Sequence, residues 1–309
     1  MSSKYLDRYY NHFSKSRRED HNPLAKDKNY LMRFNTFLPY SYARQQNSLS
    51  LVYSNSLSPM NLVTKERSSK LKKGHFTIIN PNTDWEFLCK EEERIDVLSF
   101  VLSEKLISKF SHCIHTKETK LLEAPFEVSN YDDLFIENTY KASYSETGKF
   151  MKNLLKISNS EDYELLEPNE IVLELLGVLY QEQSNYHKRI KLIKGKKEGT
   201  KREVFKRTLV AHDYLHDSYQ SKNIDIEELS LISGLSEYHL YSSFKAIYQQ
   251  TPHQYLNRLR MQKAKQLINS GKMTISEISD TLQFPDLPTF SKLFKKTYGI
   301  TPSKLIYSI

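Results

Sequence analysis

The order of apolar and polar residues predicts short strands in the first part of the chain. Apolar residues alternate with polar ones over residues 49–53, 75–79 and 95–102, a pattern that favours β-strands. Residues typical of turns stand between these segments, at Lys73-Gly74 and at Asn80-Pro81-Asn82. Several short strands at this spacing indicate a small sandwich or barrel.

The pattern changes to a helical period from about Thr147 onward. The apolar residues that fit one helical face here are Phe150, Met151, Leu154 and Leu155. A second helix is predicted to begin at Pro168, because proline suits the first turn of a helix. Its apolar stripe contains Ile171, Val172, Leu175, Leu176 and Leu179. Two interpretations stay open. Either the helix only packs on its own domain, or it also pairs with a second copy of the chain, through Ile171, Leu175, Leu176 and Leu179.

A stretch of glycine and charged residues, 194–202, predicts a linker between two domains. The chain length of 309 residues also fits two domains. We therefore divide the chain into an N-terminal domain over residues 1–195, a linker over 196–203 and a helical domain over 204–309.

A repeat in the C-terminal region is the most specific signal in the sequence. The residues Phe244-Lys245, Tyr248 and Thr251-Pro252 recur fifty positions later as Phe294-Lys295, Tyr298 and Thr301-Pro302. Upstream, Ile226, Leu229 and Ser230 recur forty-nine positions later as Ile275, Ile278 and Ser279. The change of offset places one inserted residue in the second copy, near Asp286.

Each copy is predicted to form a helix, a tight turn and a second helix. In the first copy Asp225 can cap a helix that ends at Ser233, and Gly234 supplies a left-handed turn residue. Ser236 can then cap the second helix. One long helix, from Pro252 to about Asn269, would hold the two copies at a fixed separation. The predicted core positions are Ile226, Leu229, Gly234, Leu235, Leu240 and Phe244 in the first copy, and Ile275, Ile278, Phe284, Phe290 and Phe294 in the second.

The charge of the chain is concentrated in this C-terminal region. The whole chain has 45 basic and 37 acidic residues, a net charge of +8. From Lys188 onward there are 21 basic and 11 acidic residues, a balance of +10. Such asymmetry favours a polyanionic partner, although a basic face exposed only to solvent is also common.

The C-terminal sequence resembles the AraC/XylS family of bacterial transcription regulators, most closely over residues 204–305. The resemblance is carried by Ile226, Leu229, Ser230, Gly234-Leu235-Ser236, Leu240, Phe244-Lys245, Arg260, Lys263-Ala264, Leu267, Ile275, Ile278, Phe284, Phe290, Phe294-Lys295-Lys296, Tyr298-Gly299 and Thr301-Pro302. It implies a double helix-turn-helix domain that binds promoter DNA, most often as an activator that works with RNA polymerase. A looser resemblance, centred on residues 74–81, implies a cupin-like sensing or dimerisation domain over residues 1–195. The predicted fold class is thus multi-domain α+β, with an N-terminal cupin-like β-barrel with helices and an all-α C-terminal domain.

The resemblance also implies which side chains meet DNA. The candidates for base readout are Tyr238, His239, Tyr241 and Ser242 in the first copy, and Leu287, Pro288, Thr289 and Lys292 in the second. Candidates for phosphate contacts are Ser236, Lys245, Arg258, Arg260, Lys295 and Lys296. No Arg, Gln or Asn stands among the readout candidates to bind guanine or adenine with two hydrogen bonds. We therefore expect a site rich in A·T pairs, read partly by its shape.

The second copy departs from the family pattern at its turn. Gln283 stands where the family usually has glycine, and a left-handed residue with a side chain costs roughly 1 kcal/mol. Pro285 and Pro288 stand near the start of the second recognition helix, where they remove main-chain donors. The sequence predicts a strained second turn and a less specific second reader.

Other classes of function have little support in the sequence. Cys89 and Cys113 are too few for a disulfide framework or a four-thiolate zinc site. His75, His112 and His115 lack the clustering that a metal centre needs. No phosphate loop, nucleophile triad or paired-carboxylate motif is present, so we expect neither an enzyme nor a cofactor. The absence of an apolar stretch of about 20 residues, and of an apolar leader, predicts a cytoplasmic protein without a membrane partner.

The role of the N-terminal domain stays open between three hypotheses. It binds a small-molecule effector that shifts the DNA-binding units, or it only forms a homodimer or binds another protein. A third hypothesis, from a different class, is a cupin enzyme with an accessory DNA-binding module. An enclosed apolar pocket would favour the first, and an interior filled by its own Tyr and Phe residues the second.

Overall fold

The computed structural model describes residues 6–13, 29–36, 41–44, 48–64, 68–88, 94–116, 120, 135–158, 160, 165–221 and 224–306. The chain divides into two compact units, residues 1–186 and 187–309. The N-terminal unit contains sheets and helices, and the C-terminal unit is helical. Cys89, considered above as a metal ligand, lies outside the described residues.

The described strands of the N-terminal unit form two sheets. They are β1 (Leu6–Phe13), β2 (Asn29–Thr36), β3 (Ser41–Arg44), β4 (Ser48–Ser54), β5 (Met60–Thr64), β6 (Ser68–Leu71), β7 (His75–Ile79), β8 (Trp85–Leu88), β9 (Ile95–Ser103) and β10 (Thr139–Lys141). One sheet has the order β1-β2-β9-β4-β7-β10 and the other β3-β8-β5-β6. The three strands predicted from the sequence are confirmed as β4, β7 and β9. A closed cupin barrel is not confirmed, because these strands form two open sheets.

The centre of the six-stranded sheet is buried more completely than the sequence pattern predicts. All seven residues of β4 are buried, as are eight of the nine residues of β9. Alternation predicts one solvated face, but the polar positions of β4 are serines, which are small enough to be covered. An ion pair of 3.3 Å between Arg33 and Asp96 joins β2 to β9 at a partly buried position.

The described part of the N-terminal unit contains three α-helices and one 3₁₀ helix, and the last α-helix extends beyond residue 186. They are α1 (Glu104–His115), the 3₁₀ helix Ala142–Tyr144, α2 (Glu146–Ile157) and α3 (Pro168–Lys191). Ser145 caps α2 by accepting a hydrogen bond of 3.0 Å from the Gly148 N–H. A β-carbon on Gly148 would lie 2.3 Å from the Ala142 Cα, so this position requires glycine.

The apolar stripe of α3 is covered within the chain itself. Leu175, Leu176 and Leu179 have no exposed surface, and Ile171 is 7% exposed. Side chains already covered by their own chain cannot form an interface with a second copy. The four proposed dimerisation residues are therefore corrected to core positions of this chain, and pairing of the helix with a second copy stays a prediction.

The helices of the C-terminal unit follow the predicted repeat. They are α4 (Glu198–Ser218), α5 (Ile226–Ser233), α6 (Glu237–Tyr248), α7 (Pro252–Ser270), α8 (Ile275–Thr281), α9 (Leu287–Tyr298) and α10 (Pro302–Ile306). The predicted caps are confirmed, because Asp225 accepts from the Glu228 N–H and Ser236 from the His239 N–H. Residues 198–203 of the predicted linker lie in α4.

The second repeat has its own apolar core against α7. Ile278, Phe290 and Phe294 are fully buried there. They pack with residues of α7, namely Met261, Ala264 and Ile268. The spacing of these α7 residues, every three to four positions, keeps them on one helical face. The long helix thus carries the second repeat on its C-terminal half.

The first repeat packs around an aromatic cluster that includes two histidines. Phe244, on α6, is fully buried, and its ring centroid lies 5.4 Å from that of Tyr255 on α7. The Tyr255 hydroxyl oxygen lies 2.8 Å from Nε2 of His212 and 2.8 Å from Nε2 of His216, both on α4. His212 also places Nδ1 at 3.0 Å from a carboxylate oxygen of Asp213. Burial raises the pKa of the Tyr255 hydroxyl.

In the part of the chain that the structure describes, no helix has both the length and the apolar character needed to span a membrane. The same residues contain no cluster of three or more His, Cys, Asp or Glu side chains arranged to hold a metal ion.

Candidate nucleic-acid interface

The first recognition helix, α6, buries one face and exposes the other. Leu240 and Phe244 are fully buried, whereas Tyr238 is 78% exposed and Tyr241 46% exposed. Ser236 begins the helix, and its Oγ also lies 3.0 Å from Nδ1 of His239. All four readout candidates of this helix, Tyr238, His239, Tyr241 and Ser242, are exposed.

The second recognition helix, α9, has the same division. Asp286 caps it by accepting a hydrogen bond of 2.6 Å from the Thr289 N–H. This main-chain bond, with a weaker side-chain bond from Thr289, holds the pKa of Asp286 below its ordinary value. Leu287 is 40% exposed, and the remaining candidates Pro288, Thr289 and Lys292 are exposed as well.

Both turns contain a residue with positive φ. Gly234 has φ of 65° and Gln283 has φ of 59°, so the predicted left-handed glutamine is confirmed. The Gln283 side chain folds back and donates from Nε2 to the Asp280 carbonyl at 3.1 Å. At the first turn, Arg207 of α4 donates from Nη1 to the Gly234 carbonyl at 2.8 Å.

The core positions predicted for the two units are mostly buried. Leu229, Leu235, Leu240, Phe244, Ile278, Phe284, Phe290 and Phe294 are buried. Ile226 and Ile275, at the first position of each unit, are half-buried, and Gly234 is exposed. The two units therefore keep the same inner face, and their opposite faces are left for solvent or a ligand.

The candidates for phosphate contacts divide into two groups. Ser236, Lys245, Arg258, Lys295 and Lys296 are exposed. Arg258 also has its guanidinium 4.4 Å from the centroid of the Tyr255 ring, which fixes its side chain along α7. Arg260 differs from all of them, because it is half-buried and donates to three main-chain carbonyls. We therefore remove Arg260 from the phosphate set.

Known proteins resemble the C-terminal unit. Residues 229–306 match a family described as a helix-turn-helix domain. The probable transcriptional regulator LumQ of Photobacterium leiognathi is 31% identical over 35% of this chain and 44% of its own length. The F1 operon positive regulatory protein of Yersinia pestis is 36% identical over 29% of this chain and 30% of its own. A solved structure of a probable AraC family transcriptional regulator from Rhodopseudomonas palustris is 21% identical, over 33% of this chain and 95% of its own, with a TM-score of 0.31.

The C-terminal region is an AraC-type helix-turn-helix domain. LumQ and the F1 protein, which match this region of the chain, are both named as regulators. The chain covers less than half the length of LumQ and of the F1 regulator, and these matches concern the AraC-type domain.

Sequence reasoning missed two features of the AraC-type domain. One is Arg207, which holds the first turn from a helix outside the repeat. The other is the His212–Tyr255–His216 cluster. The spacing of His212 and His216, four positions apart in α4, places them on one helical face and is the signal that could have drawn attention to them.

Proposed function

We propose that the chain is a DNA-binding transcription regulator that places α6 and α9 in successive major grooves of promoter DNA. The observation that carries this proposal is the division of both helices: each buries its inner face in an AraC-type unit and exposes the face that bears the readout candidates. In helix-turn-helix proteins this exposed face contacts base edges. The Yersinia pestis relative is named a positive regulator, which supports activation, with RNA polymerase as the partner.

The chemistry of the exposed faces supports a site rich in A·T pairs. Tyr238, Tyr241 and Leu287 offer apolar surface that suits the methyl group of thymine. Lys292 can donate to guanine acceptors. Without a side chain that makes paired hydrogen bonds to one base, part of the specificity comes from the shape of the duplex.

Phosphate binding is assigned to the exposed candidates Ser236, Lys245, Arg258, Lys295 and Lys296, together with main-chain N–H groups at the helix starts. If the protein neutralises about six phosphates, its affinity falls by roughly a thousandfold between 50 and 200 mM salt. The positive charge of the region from Lys188 onward supports this dependence.

For the N-terminal unit, the described interior favours a role in protein contacts over ligand binding. Tyr53, Phe76, Phe100 and Tyr140 are almost completely buried, and the rings of Phe76 and Tyr140 stack at 5.2 Å. An interior occupied by its own aromatic side chains supports a domain that dimerises or binds another protein. An effector that raised the thermal stability of the full chain would overturn this preference.

The test is selection of duplexes from a random library by the full chain at 100 mM salt, followed by footprinting of the selected sequence. We expect protection of two segments, one helical turn apart on one face of the duplex. A variant with Tyr238→Ala and Lys292→Ala should lose the selected sequence, and Lys149→Ala, on α2, serves as the matched control. Failure of the folded chain to enrich any duplex would refute the proposed function.

A further inference from the structure

Arg260, on the long helix α7, makes its contacts with two other parts of the C-terminal unit. Its Nε donates to the Tyr219 carbonyl at 2.9 Å and its Nη2 to the Ser221 carbonyl at 3.1 Å. Its Nη1 points to the Gln283 carbonyl at 3.5 Å, a longer and weaker contact. The guanidinium also lies 5.8 Å from the centroid of the Phe284 ring.

The first two acceptors belong to the support of the first helix-turn-helix unit. Tyr219 and Ser221 follow directly after α4. That helix holds the first unit through the bond from Arg207 to Gly234 and through a hydroxyl contact of 3.0 Å between Thr208 and Ser243. Tyr219 is the C-cap of α4, and carbonyls at the end of a helix lack partners within the helix and carry its negative dipole, so a guanidinium suits the Tyr219 carbonyl.

The remaining contacts belong to the second unit. Gln283 is the left-handed residue of its turn, and Phe284 lies in its core. The Tyr219 side chain packs against that same core from the end of α4. The end of α4 therefore meets the second unit twice, once through the Tyr219 ring and once through the guanidinium of Arg260.

Arginine fits this position because its guanidinium is a planar fork with five N–H donors. A lysine has one point of attachment and cannot reach three carbonyls in fixed directions. Burial lowers the pKa of the Arg260 guanidinium, which is consistent with a side chain withdrawn from solvent and engaged with the main chain.

We infer that Arg260 is a positioning residue that sets the orientation of the second recognition helix relative to the first, and so determines which spacing of half-sites the protein accepts. This inference rests on the proposed function. Two binding modules held rigidly at the correct geometry bind more tightly than the same two modules joined by a flexible connection. Loss of the contact should therefore weaken binding and widen the range of accepted spacings.

The test uses the full chain and two duplexes: the one that the wild type selects, and the same duplex with one base pair inserted between its half-sites. The insertion rotates one half-site by about 35° and moves it by about 3.4 Å. We expect the wild type to lose at least about tenfold in affinity on the inserted duplex. Arg260→Met should bind the selected duplex about tenfold more weakly, with an insertion penalty of only about twofold to threefold.

Two further variants separate positioning from charge and from folding. Arg258→Met removes an exposed guanidinium from the same helix, and it should weaken binding to both duplexes equally while the full insertion penalty remains. Arg260→Lys keeps the charge, and we expect it to show a reduced insertion penalty as well. It also serves as the deciding variant if thermal melting shows that Arg260→Met does not fold.

The outcomes are distinguishable. If Arg260→Met or the folded Arg260→Lys keeps the wild-type insertion penalty, Arg260 does not position the second unit and the inference is wrong. If the folded wild type selects no duplex at all, the proposed function itself fails. If both variants lose the penalty while Arg258→Met keeps it, the positioning role is supported.

Discussion

The turn of the first helix-turn-helix unit is made by Gly234, whereas in the second unit Gln283 adopts nearly the same left-handed conformation, with φ of 65° and 59° respectively. Each turn carbonyl faces an arginine from the helix that precedes its unit, Arg207 at 2.8 Å and Arg260 at 3.5 Å. The comparison shows that the backbone of the turn is retained although its residue differs. The second unit accepts the strain of a side chain at this position.

The two units also differ in what fills their cores. The first is built around Leu240 and Phe244 and continues into the hydrogen-bonded cluster of Tyr255 and two histidines. The core of the second is apolar, with three phenylalanines packed against α7. The exposed faces of the two recognition helices differ as well: α6 exposes tyrosines, whereas α9 exposes Leu287 and lysines. A common backbone thus presents two different chemistries.

The largest effect is expected from emptying either core. Phe244→Ala and Phe290→Ala should each lower the free energy of unfolding by about 3–5 kcal/mol, because both side chains are fully buried. Urea denaturation of the full chain measures this loss, with the exposed Lys292→Ala as control. Hydrogen exchange should increase in α5 and α6 for the first variant and in α8 to α10 for the second. An equal increase in both units would show that they share one cooperative core.

The next largest effect is expected on DNA affinity, from the exposed faces of α6 and α9. Replacing Tyr238 and Tyr241 together by alanine should weaken binding to the selected duplex by about tenfold or more, because two large apolar contacts are lost. Leu287→Ala removes a smaller, less exposed side chain and should cost only a few fold. Fluorescence anisotropy at one salt concentration measures both. Leu231→Ala, which removes an 84% exposed leucine from α5, is the control. A greater loss for Leu287→Ala would reverse the assignment of the first unit as the more specific reader.

A smaller effect is expected at the turns. Gly234→Ala should destabilise the chain by about 1 kcal/mol, because the new β-carbon meets only the Arg207 Nη1 at 3.6 Å and the cost is that of positive φ. Gln283→Gly removes the strain of the side chain and should stabilise the fold by up to about 1 kcal/mol. The gain is reduced by the loss of the hydrogen bond from Gln283 to the Asp280 carbonyl. Chemical denaturation measures both variants. Unchanged or reduced stability of Gln283→Gly would argue against strain at the second turn.

The smallest effect is a pH dependence of the second unit. Main-chain and side-chain hydrogen bonds from Thr274 and Thr289 lower the pKa of Glu277 and of Asp286. A carboxylate with a lowered pKa in the folded state stabilises the fold above its unfolded pKa, and this contribution disappears as the pH falls through the folded value. Glu277→Gln and Asp286→Asn should therefore melt slightly below the wild type at pH 7, with the difference vanishing in acid. For comparison, Thr251→Ala should show a difference that stays constant with pH, since Thr251 caps α7 together with Gln254 and neither side chain ionises in this range.

Much of the C-terminal unit could be predicted because its signals are local. The caps at Asp225 and Ser236, the turn at Gly234 and the inward positions of α6 all depend on residues within four positions of one another. Gln283 could be placed by comparison of the two repeats. Arg260 was assigned to phosphate because its partners, Tyr219 and Ser221, lie about forty positions away, and only the tertiary structure brings them together.

The N-terminal unit was predicted in outline only. Strands β4, β7 and β9 were found, but their pairing depends on register between distant segments, such as Tyr30 of β2 opposite Val101 of β9. The stripe on α3 shows the same limit, because periodicity identifies an apolar face without naming what covers it. Burial of Leu175 and Leu176 shows that the chain itself covers the stripe, and pairing of the helix with a second copy stays a prediction.

The Tyr255 hydroxyl, which lies between two histidines, fixes the direction of the hydrogen bonds in the cluster around it. A phenol has a single proton, so it can donate to only one of the two imidazoles that lie 2.8 Å away. The carboxylate of Asp213 accepts from Nδ1 of His212, and a neutral His212 must then accept the phenolic proton at Nε2, while His216 supplies its own Nε2–H to the same oxygen. The two imidazoles, four residues apart on one helix, therefore have opposite roles at this oxygen: one accepts a hydrogen bond from it and the other donates one to it.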